Sequence, residues 1–236
     1  MQRATRLKLL CLRNNAINDE GLECLVDGMV NCCRLQTLNL SNNQSITAVG
    51  LTSLSTFFRS DNCCMVKLWL WGINFGDDGA VALADGLMGN NSMTRLKFDS
   101  SDVTARGWSA FSKLLCDTSS VNNTHLSNHT LVEIGGFRNA GNSSTIVEYL
   151  KLNALQNCAA AICKILVCHP DIDVEHLIQW KLKCLPLVVR WLETARSYMG
   201  NVNESTVVFQ CRKLSALYKF VRGMPQLAVG GYRGKN

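Results

Sequence analysis

Apolar and polar residues alternate over short stretches of the first half of the chain, and these stretches recur at a nearly constant interval. Their central leucines stand 28, 30 and 28 residues apart, at Leu10, Leu38, Leu68 and Leu96. A period of two predicts a short strand with one buried face, because successive side chains of a strand point to opposite sides. A repeat of roughly 20–50 residues is typical of a solenoid.

Each central leucine belongs to the same phrase, L-x-x-L-x-L-x-x-N. The four copies are filled by Leu7, Leu10, Leu12 and Asn15; Leu35, Leu38, Leu40 and Asn43; Met65, Leu68, Leu70 and Ile73; and Met93, Leu96, Phe98 and Ser101. An apolar residue, a glycine and a stretch with helical spacing follow each phrase, the glycines being Gly21, Gly50, Gly79 and Gly107. Each repeat is therefore predicted as a strand, a turn and a returning helix.

This pattern resembles the long type of leucine-rich repeat found in ribonuclease inhibitor and in the Ran GTPase-activating proteins. The resemblance implies an α/β solenoid with parallel strands inside and helices outside. A fifth, degraded copy is predicted with Val121, Thr124, Leu126 and His129 in the phrase and Gly135 as the repeat glycine. The repeat region is accordingly assigned to residues 1–135.

The second half of the chain has helical rather than repeat spacing. We predict a linker over 136–145, an all-α cap over 146–225 that begins with one helix over about 145–168, and a flexible tail over 226–236. Such a cap would cover the open end of a solenoid core. The segments 127–131 and 214–225 also resemble a family of leucine-rich repeat proteins from diatoms, a resemblance that implies binding and no particular reaction.

In a leucine-rich repeat the residues between the buried leucines lie on the concave face, where partners bind. Trp69 and Trp71 are the conspicuous ones, and tryptophan beside arginine is typical of interface hot spots. The predicted partner-binding set is Trp69, Trp71, Lys67, Arg95, Lys97, Arg13, Asn39 and His125. The alternative is that the strand twists or that the indoles pack beneath the helical block.

Charge is uneven between the halves. Residues 1–144 carry 12 Lys/Arg and 12 Asp/Glu, whereas residues 145–236 carry 12 and 6, so the net charge of +6 lies in the helical block. We expect the partner to be another protein. One alternative, implied by the resemblance to Ran activators, is regulation of a small GTPase. A second is binding of nucleic acid or an acidic partner by the basic helical block, although a solvated helix face is the simpler explanation of its charge. A third is assembly through an uncapped first strand.

Composition excludes several classes of protein. With 47% apolar residues and 3 prolines, the chain is neither disordered nor fibrous. No stretch predicts a membrane span or a signal peptide, so we expect a cytoplasmic protein, with the nucleus as the alternative, and reduced thiols for its 12 cysteines. The chain shows no metal-ligand spacing, phosphate loop or nucleophile motif, and we expect neither a metal, a cofactor nor an enzymatic activity.

Overall fold

The computed structural model describes residues 6–30, 32, 34–60, 62–99, 101–135, 144–154 and 157–169. Strands and helices alternate over most of this part of the chain. In order they are β1 (Leu9–Cys11), α1 (Asp19–Met29), β2 (Thr37–Asn39), α2 (Ala48–Phe58), β3 (Lys67–Leu70), α3 (Gly76–Gly86), β4 (Arg95–Phe98), α4 (Ala105–Leu115), α5 (Val121–Leu126), β5 (Glu133–Ile134), α6 (Ser144–Asn153) and α7 (Asn157–Cys168). The chain divides into two compact units, 1–164 and 165–236.

The strands form one parallel sheet in the order β1-β2-β3-β4-β5. The register pairs Leu10 with Leu38, Leu38 with Leu68 and Leu68 with Leu96, so the repeat leucines lie side by side. Helices α1 to α4 pack against one another in chain order. This is the leucine-rich repeat solenoid that the spacing predicts, and the fold class is confirmed.

The core lies between the sheet and the helices. Leu38, Leu68 and Leu96 are fully buried, whereas Leu10 in the first strand is half-buried and its neighbour Leu9 is 58% exposed. Burying a leucine side chain contributes about 1.5–3 kcal/mol, so the stack of leucines supplies much of the driving force for folding. Alternate strand residues point away from the helices and are free for other roles.

The phrase asparagine satisfies backbone groups in two neighbouring repeats. Asn43 is fully buried, and its Nδ2 donates to the carbonyls of Leu12 (2.9 Å) and Leu40 (2.6 Å). Its Oδ1 accepts from the backbone N–H groups of Asn15 (2.9 Å) and Ile17 (3.0 Å). One side chain therefore serves four buried or half-buried backbone groups that would otherwise be costly to desolvate.

In the third phrase Ile73 occupies the asparagine position and is fully buried. In the fourth phrase, where Ser101 occupies that position, aspartates take over the bonds to the preceding turn. Two carboxylates of the fourth repeat accept from the neighbouring turn instead: Asp99 from Gly72 N–H and Asp102 from Gly76 N–H, each at 2.7 Å. The turn therefore remains hydrogen-bonded without the expected residue.

The repeat glycine allows one helix to approach the start of its neighbour. The Asp77 carboxylate on α3 accepts from the backbone N–H groups of Thr104 (2.7 Å) and Gly107 (3.1 Å) at the start of α4. A Cβ on Gly107 would lie 2.7 Å from Asp77 Oδ1. Asp19 makes the same pair of bonds, to Thr47 and Gly50, between α1 and α2. Glycine is required because any side chain would displace the carboxylate.

The fifth repeat was wrongly placed by the sequence. Val121 to Leu126, expected as strand, form helix α5, whose N-cap Ser120 accepts from Asn123 N–H. The fifth strand is Glu133–Ile134, and Gly135 ends it instead of standing in a helix. The expected phrase had Thr124 where a core leucine is needed, so it could not bury an apolar strand face.

Asn128 fixes this displaced strand to the fourth repeat. The side chain is 1% exposed, and its Nδ2 donates to the carbonyls of Leu87 (3.1 Å) and Asn90 (2.9 Å). Its Oδ1 accepts from the backbone N–H groups of Thr130 (3.0 Å) and Leu131 (2.9 Å). The hydrogen bonds orient the chain so that Leu131 enters the core directly before β5.

The single helix predicted over 145–168 is instead two helices, α6 and α7, with Ala154 in a turn after α6. Asn153 at the end of α6 donates to Leu131 O (2.6 Å), which ties α6 to the fifth repeat. The division of the chain into linker, cap and tail stays a prediction, and the further predicted helices lie outside the described residues.

A fully buried lysine joins α7 to the fifth repeat. Lys164 Nζ donates to the carbonyls of Leu115 (2.5 Å) and Asn128 (3.0 Å) and lies 3.2 Å from His129 Nδ1. The other ring nitrogen of His129 lies 3.0 Å from His125 O. Burial, followed by the Lys164 cation, lowers the pKa of His129 to about 4, so the imidazole is neutral at pH 7.

Candidate functional site

The side chains on the helix-free side of the sheet form the surface that we call the open face. It consists of alternate strand residues and of residues one or two positions beyond the ends of β1 to β4. They are Leu9, Cys11 and Arg13; Thr37, Asn39 and Ser41; Lys67, Trp69 and Trp71; Arg95, Lys97 and Asp99; and Glu133. The register arranges them in rows across the strands, because the pairing is parallel and without a bulge.

Two rows bring the predicted residues together. One row runs through Leu9, Thr37, Lys67, Arg95 and Glu133, and the next through Cys11, Asn39, Trp69 and Lys97. Paired strands lie about 4.8 Å apart, so one bound ligand can contact the charged and aromatic side chains of neighbouring strands. Seven of the eight predicted binding residues lie on this face.

Trp69 lies near the centre of the open face, on the middle strand of the sheet. Its ring is half-buried between the neighbours Asn39 and Lys97. The indole Nε1 is buried and has no hydrogen-bond partner among the described residues. A buried donor without an acceptor costs about 1–3 kcal/mol, so the fold tolerates this tryptophan at an energetic cost.

Trp71 follows β3 and is also half-buried. Its backbone N–H donates to Ser41 Oγ (3.2 Å), and its carbonyl accepts from Asn42 N–H (2.7 Å). These bonds fix the backbone at Trp71, directly after the strand that carries Trp69. The tryptophans thus give the face a partly accessible, amphipathic aromatic surface.

Glu133 is a member of this face that the sequence analysis missed. Its carboxylate lies 3.0 Å from Lys97 Nζ and 3.6 Å from Arg95 Nε, and the side chain is 18% exposed. The residue went unnoticed because the fifth strand was placed too early. It neutralises part of the positive charge that the sequence assigned to the fourth strand.

Lys67 and Arg13 are the other two predicted cations. Lys67 is half-buried and Arg13 is exposed. Within the described residues neither has a carboxylate within 4.0 Å, unlike Arg95 and Lys97. Lys67 is therefore the cation next to Trp69 that is available to an external anion.

Two predicted residues have local roles. Asn39 is 9% exposed, and its Oδ1 accepts from Ser41 N–H at 3.0 Å, which shapes the end of β2. His125, expected on the fifth strand, instead lies in the last turn of helix α5 and is exposed. His125 is therefore not on the open face, because the segment before it is capped as a helix.

Other chemistry is sparse in the part of the chain that the structure describes. No group of three or more His, Cys, Asp or Glu side chains there is arranged to hold a metal ion. No described helix is both long and apolar enough to cross a membrane. Cys63 and Cys64 are adjacent free cysteines. Cys63 is buried, and desolvation raises the pKa of its thiol, whereas Cys64 is exposed.

Comparisons with known proteins agree with the repeat fold. A family model described as Leucine Rich repeat matches residues 5–26 and 31–55. A search of curated proteins finds no match. A solved structure of leiomodin-1 actin-binding site 2 is similar with a TM-score of 0.52 at 16% identity, covering 68% of this chain and 88% of that chain.

The tropomodulin C-terminal domain of Caenorhabditis elegans is similar to the same degree. Its TM-score is 0.51 at 15% identity, and the match covers 69% of this chain and 93% of that chain. At such low identity the likeness concerns the fold, in which a parallel sheet is backed by repeated helices.

Proposed function

We propose that this chain is a protein-interaction module without enzymatic activity, and that its partner binds on the open face of the sheet. The observation that supports this most directly is a pair of half-buried tryptophans, Trp69 on the middle strand and Trp71 directly after it. Tryptophan near the centre of a patch is the residue most enriched among interface hot spots. Lys67 and Arg95 lie next to them and would supply orientation through charge.

The backbone of the repeats does not need these tryptophans. In the same row the neighbouring strands carry Asn39 and Lys97, which are compatible with the same register. Burial of the strands is supplied by the opposite side of the sheet, through Leu68 and Leu70. A large apolar group on the free side is therefore better explained by binding than by folding.

The test is affinity capture with the full chain. Wild-type protein and the Trp69→Ala/Trp71→Ala variant are used as bait in native lysate, and captured proteins are identified by mass spectrometry. We expect at least one protein to be captured by the wild type and lost with the variant. Leu126→Ala is the control, because this leucine is 59% exposed on α5, away from the open face.

Circular dichroism and tryptophan fluorescence of all three proteins show whether they fold. Equal capture by wild type and double variant would exclude the open face as the site. Loss of the far-ultraviolet spectrum in the double variant would instead show that the indoles belong to the core, as the alternative interpretation of the sequence has it.

Actin is the first individual protein to test. One of the solved structures similar to this chain is an actin-binding site of leiomodin-1. Co-sedimentation with actin filaments, with the tryptophan variant as control, distinguishes a shared partner from a shared fold.

The regulatory alternative, activation of a small GTPase, is tested by the rate of GTP hydrolysis on adding the chain.

A further inference from the structure

Acidic residues cluster on two of the helices of the repeat region, although residues 1–135 carry 11 Lys/Arg against 12 Asp/Glu. The outer helix α4 is the exception, because it carries Arg106 and Lys113 and no acidic residue. Helices α1 and α3 contain no basic residue and carry only acidic ones: Asp19, Glu20, Glu23 and Asp27 on α1, and Asp77, Asp78 and Asp85 on α3. The open face has the opposite sign. It carries four cations against two carboxylates, Asp99 and Glu133.

Both carboxylates of the open face are already engaged. Glu133 is shared by Lys97 and Arg95, and Asp99 accepts from Gly72 N–H at 2.7 Å. Groups of the protein itself thus already pair with both of these carboxylates. Among the described residues, Lys67 has no such partner within 4.0 Å.

Lys67 and Trp69 lie two residues apart on the same strand and the same face, about 6.6 Å from each other along it. Arg95 is the direct neighbour of Lys67 on β4. A ligand that covers the indole with an apolar group therefore brings its next atoms to a pair of cations. This juxtaposition sets the chemistry of the occupant.

We propose that the open face takes an acidic peptide segment in which an apolar side chain covers Trp69 and neighbouring carboxylates pair with Lys67 and Arg95. The inference rests on the proposed function and adds the class of partner to it. Electrostatic complementarity of this kind sets specificity and association rate more than total affinity. Glu133 competes with the peptide for Arg95.

A nucleic acid fits the same face less well. Its phosphates form a continuous anionic series, and on this face Asp99 and Glu133 interrupt the cations. A peptide can place single carboxylates where the cations lie and leave the two acidic positions uncovered. The aromatic surface can pack against apolar side chains as well as against bases. The arrangement of charges therefore favours a peptide over a nucleic acid.

The test is selection of random 12-residue peptides displayed on phage against the full-length chain. We expect the selected peptides to be enriched in Asp and Glu beside one large apolar residue. Binding of a selected, fluorescently labelled peptide should weaken about tenfold with Lys67→Glu and strengthen about threefold with Glu133→Gln, which releases Arg95 and Lys97. Lys113→Glu is the matched control, because it makes the same charge change on the outer helix α4.

Several outcomes would overturn the proposal. Neutral or basic peptides that need Trp69 and Trp71 would refute the acidic partner and leave the proposed function intact. An equal effect of Lys67→Glu and Lys113→Glu would refute the local pairing. Tighter binding of a twelve-nucleotide oligothymidine that depends on Lys67 would favour nucleic acid. If no selected peptide depends on the tryptophans, the proposed function fails as well.

Discussion

The position of the fifth repeat depends on one buried side chain, and Asn128→Ala tests it. The amide makes four hydrogen bonds to the backbone, at Leu87, Asn90, Thr130 and Leu131. Each bond contributes about 0.5–1.5 kcal/mol net, and buried groups left without a partner lie at the upper end. We expect the variant to lose about 4 kcal/mol of unfolding free energy, which lowers Tm by about 8–16 °C for a protein of this size.

Urea unfolding and differential scanning calorimetry measure this loss, and hydrogen exchange localises it. The Leu131 N–H should lose its protection first, because its acceptor is the Asn128 side chain. Asn122→Ala is the control on exposed α5, where a surface change shifts stability by about 0.5 kcal/mol or less. A loss at Asn128 no larger than the loss at Asn122 would refute the register of the fifth strand.

Two further predictions concern stability. His129 has a folded pKa of about 4, below the 6.5 of the unfolded chain, so protonation favours unfolding. We expect the contribution of the neutral imidazole to the free energy of unfolding to be complete above pH 6.5 and to fall progressively toward pH 4. In urea titrations, His129→Gln should remove this dependence of stability on pH. An unchanged pH dependence would mean that the imidazole is not held beside Lys164. Gly107→Ala should lower the free energy of unfolding by about 1–3 kcal/mol, because its Cβ would lie 2.7 Å from Asp77 Oδ1. Gly28→Ala has nothing within 4 Å of its Cβ and should instead stabilise its helix by about 0.5–1 kcal/mol. Thermal unfolding compares the two variants, and similar shifts in Tm would contradict the close approach of the helices.

The sequence predicts the first four repeats because their signal is local and periodic. Burial of Leu38, Leu68 and Leu96 follows from alternation within each strand, and their pairing follows from equal spacing. The glycine of each repeat was found in the same way. For Gly50 and Gly107 the reason is a carboxylate of the preceding helix at the position that a side chain would occupy. That contact joins two repeats and has no signature within one repeat.

The fifth repeat was placed too early because helix α5 is inserted before its strand. The register places Ile134 beside Leu96, a separation of 38 residues instead of 28. A signal was present, since Asn128, Leu131 and Ile134 have the same mutual spacing as Asn90, Met93 and Leu96. The separation of 38 residues departs from the constant interval of the first four repeats, so the interval predicts neither the fifth strand nor the position of Glu133 on the open face.

The open face illustrates how function can be separated from folding in a repeat protein. The leucine face fills the core, and buried amides such as Asn43 and Asn128 satisfy backbone groups between repeats. On the other side of the sheet, the small polar side chains of Ser41 and Asp99 accept from backbone N–H groups, and neither role needs a large ring. A residue on that other side is therefore under no folding requirement to be large or apolar. Trp69 nevertheless carries a large ring and a buried N–H without an acceptor among the described residues, where Asn39 and Lys97 serve in the adjacent strands. Under the proposed function, this cost to the stability of the free chain is recovered as binding free energy when a partner covers Trp69.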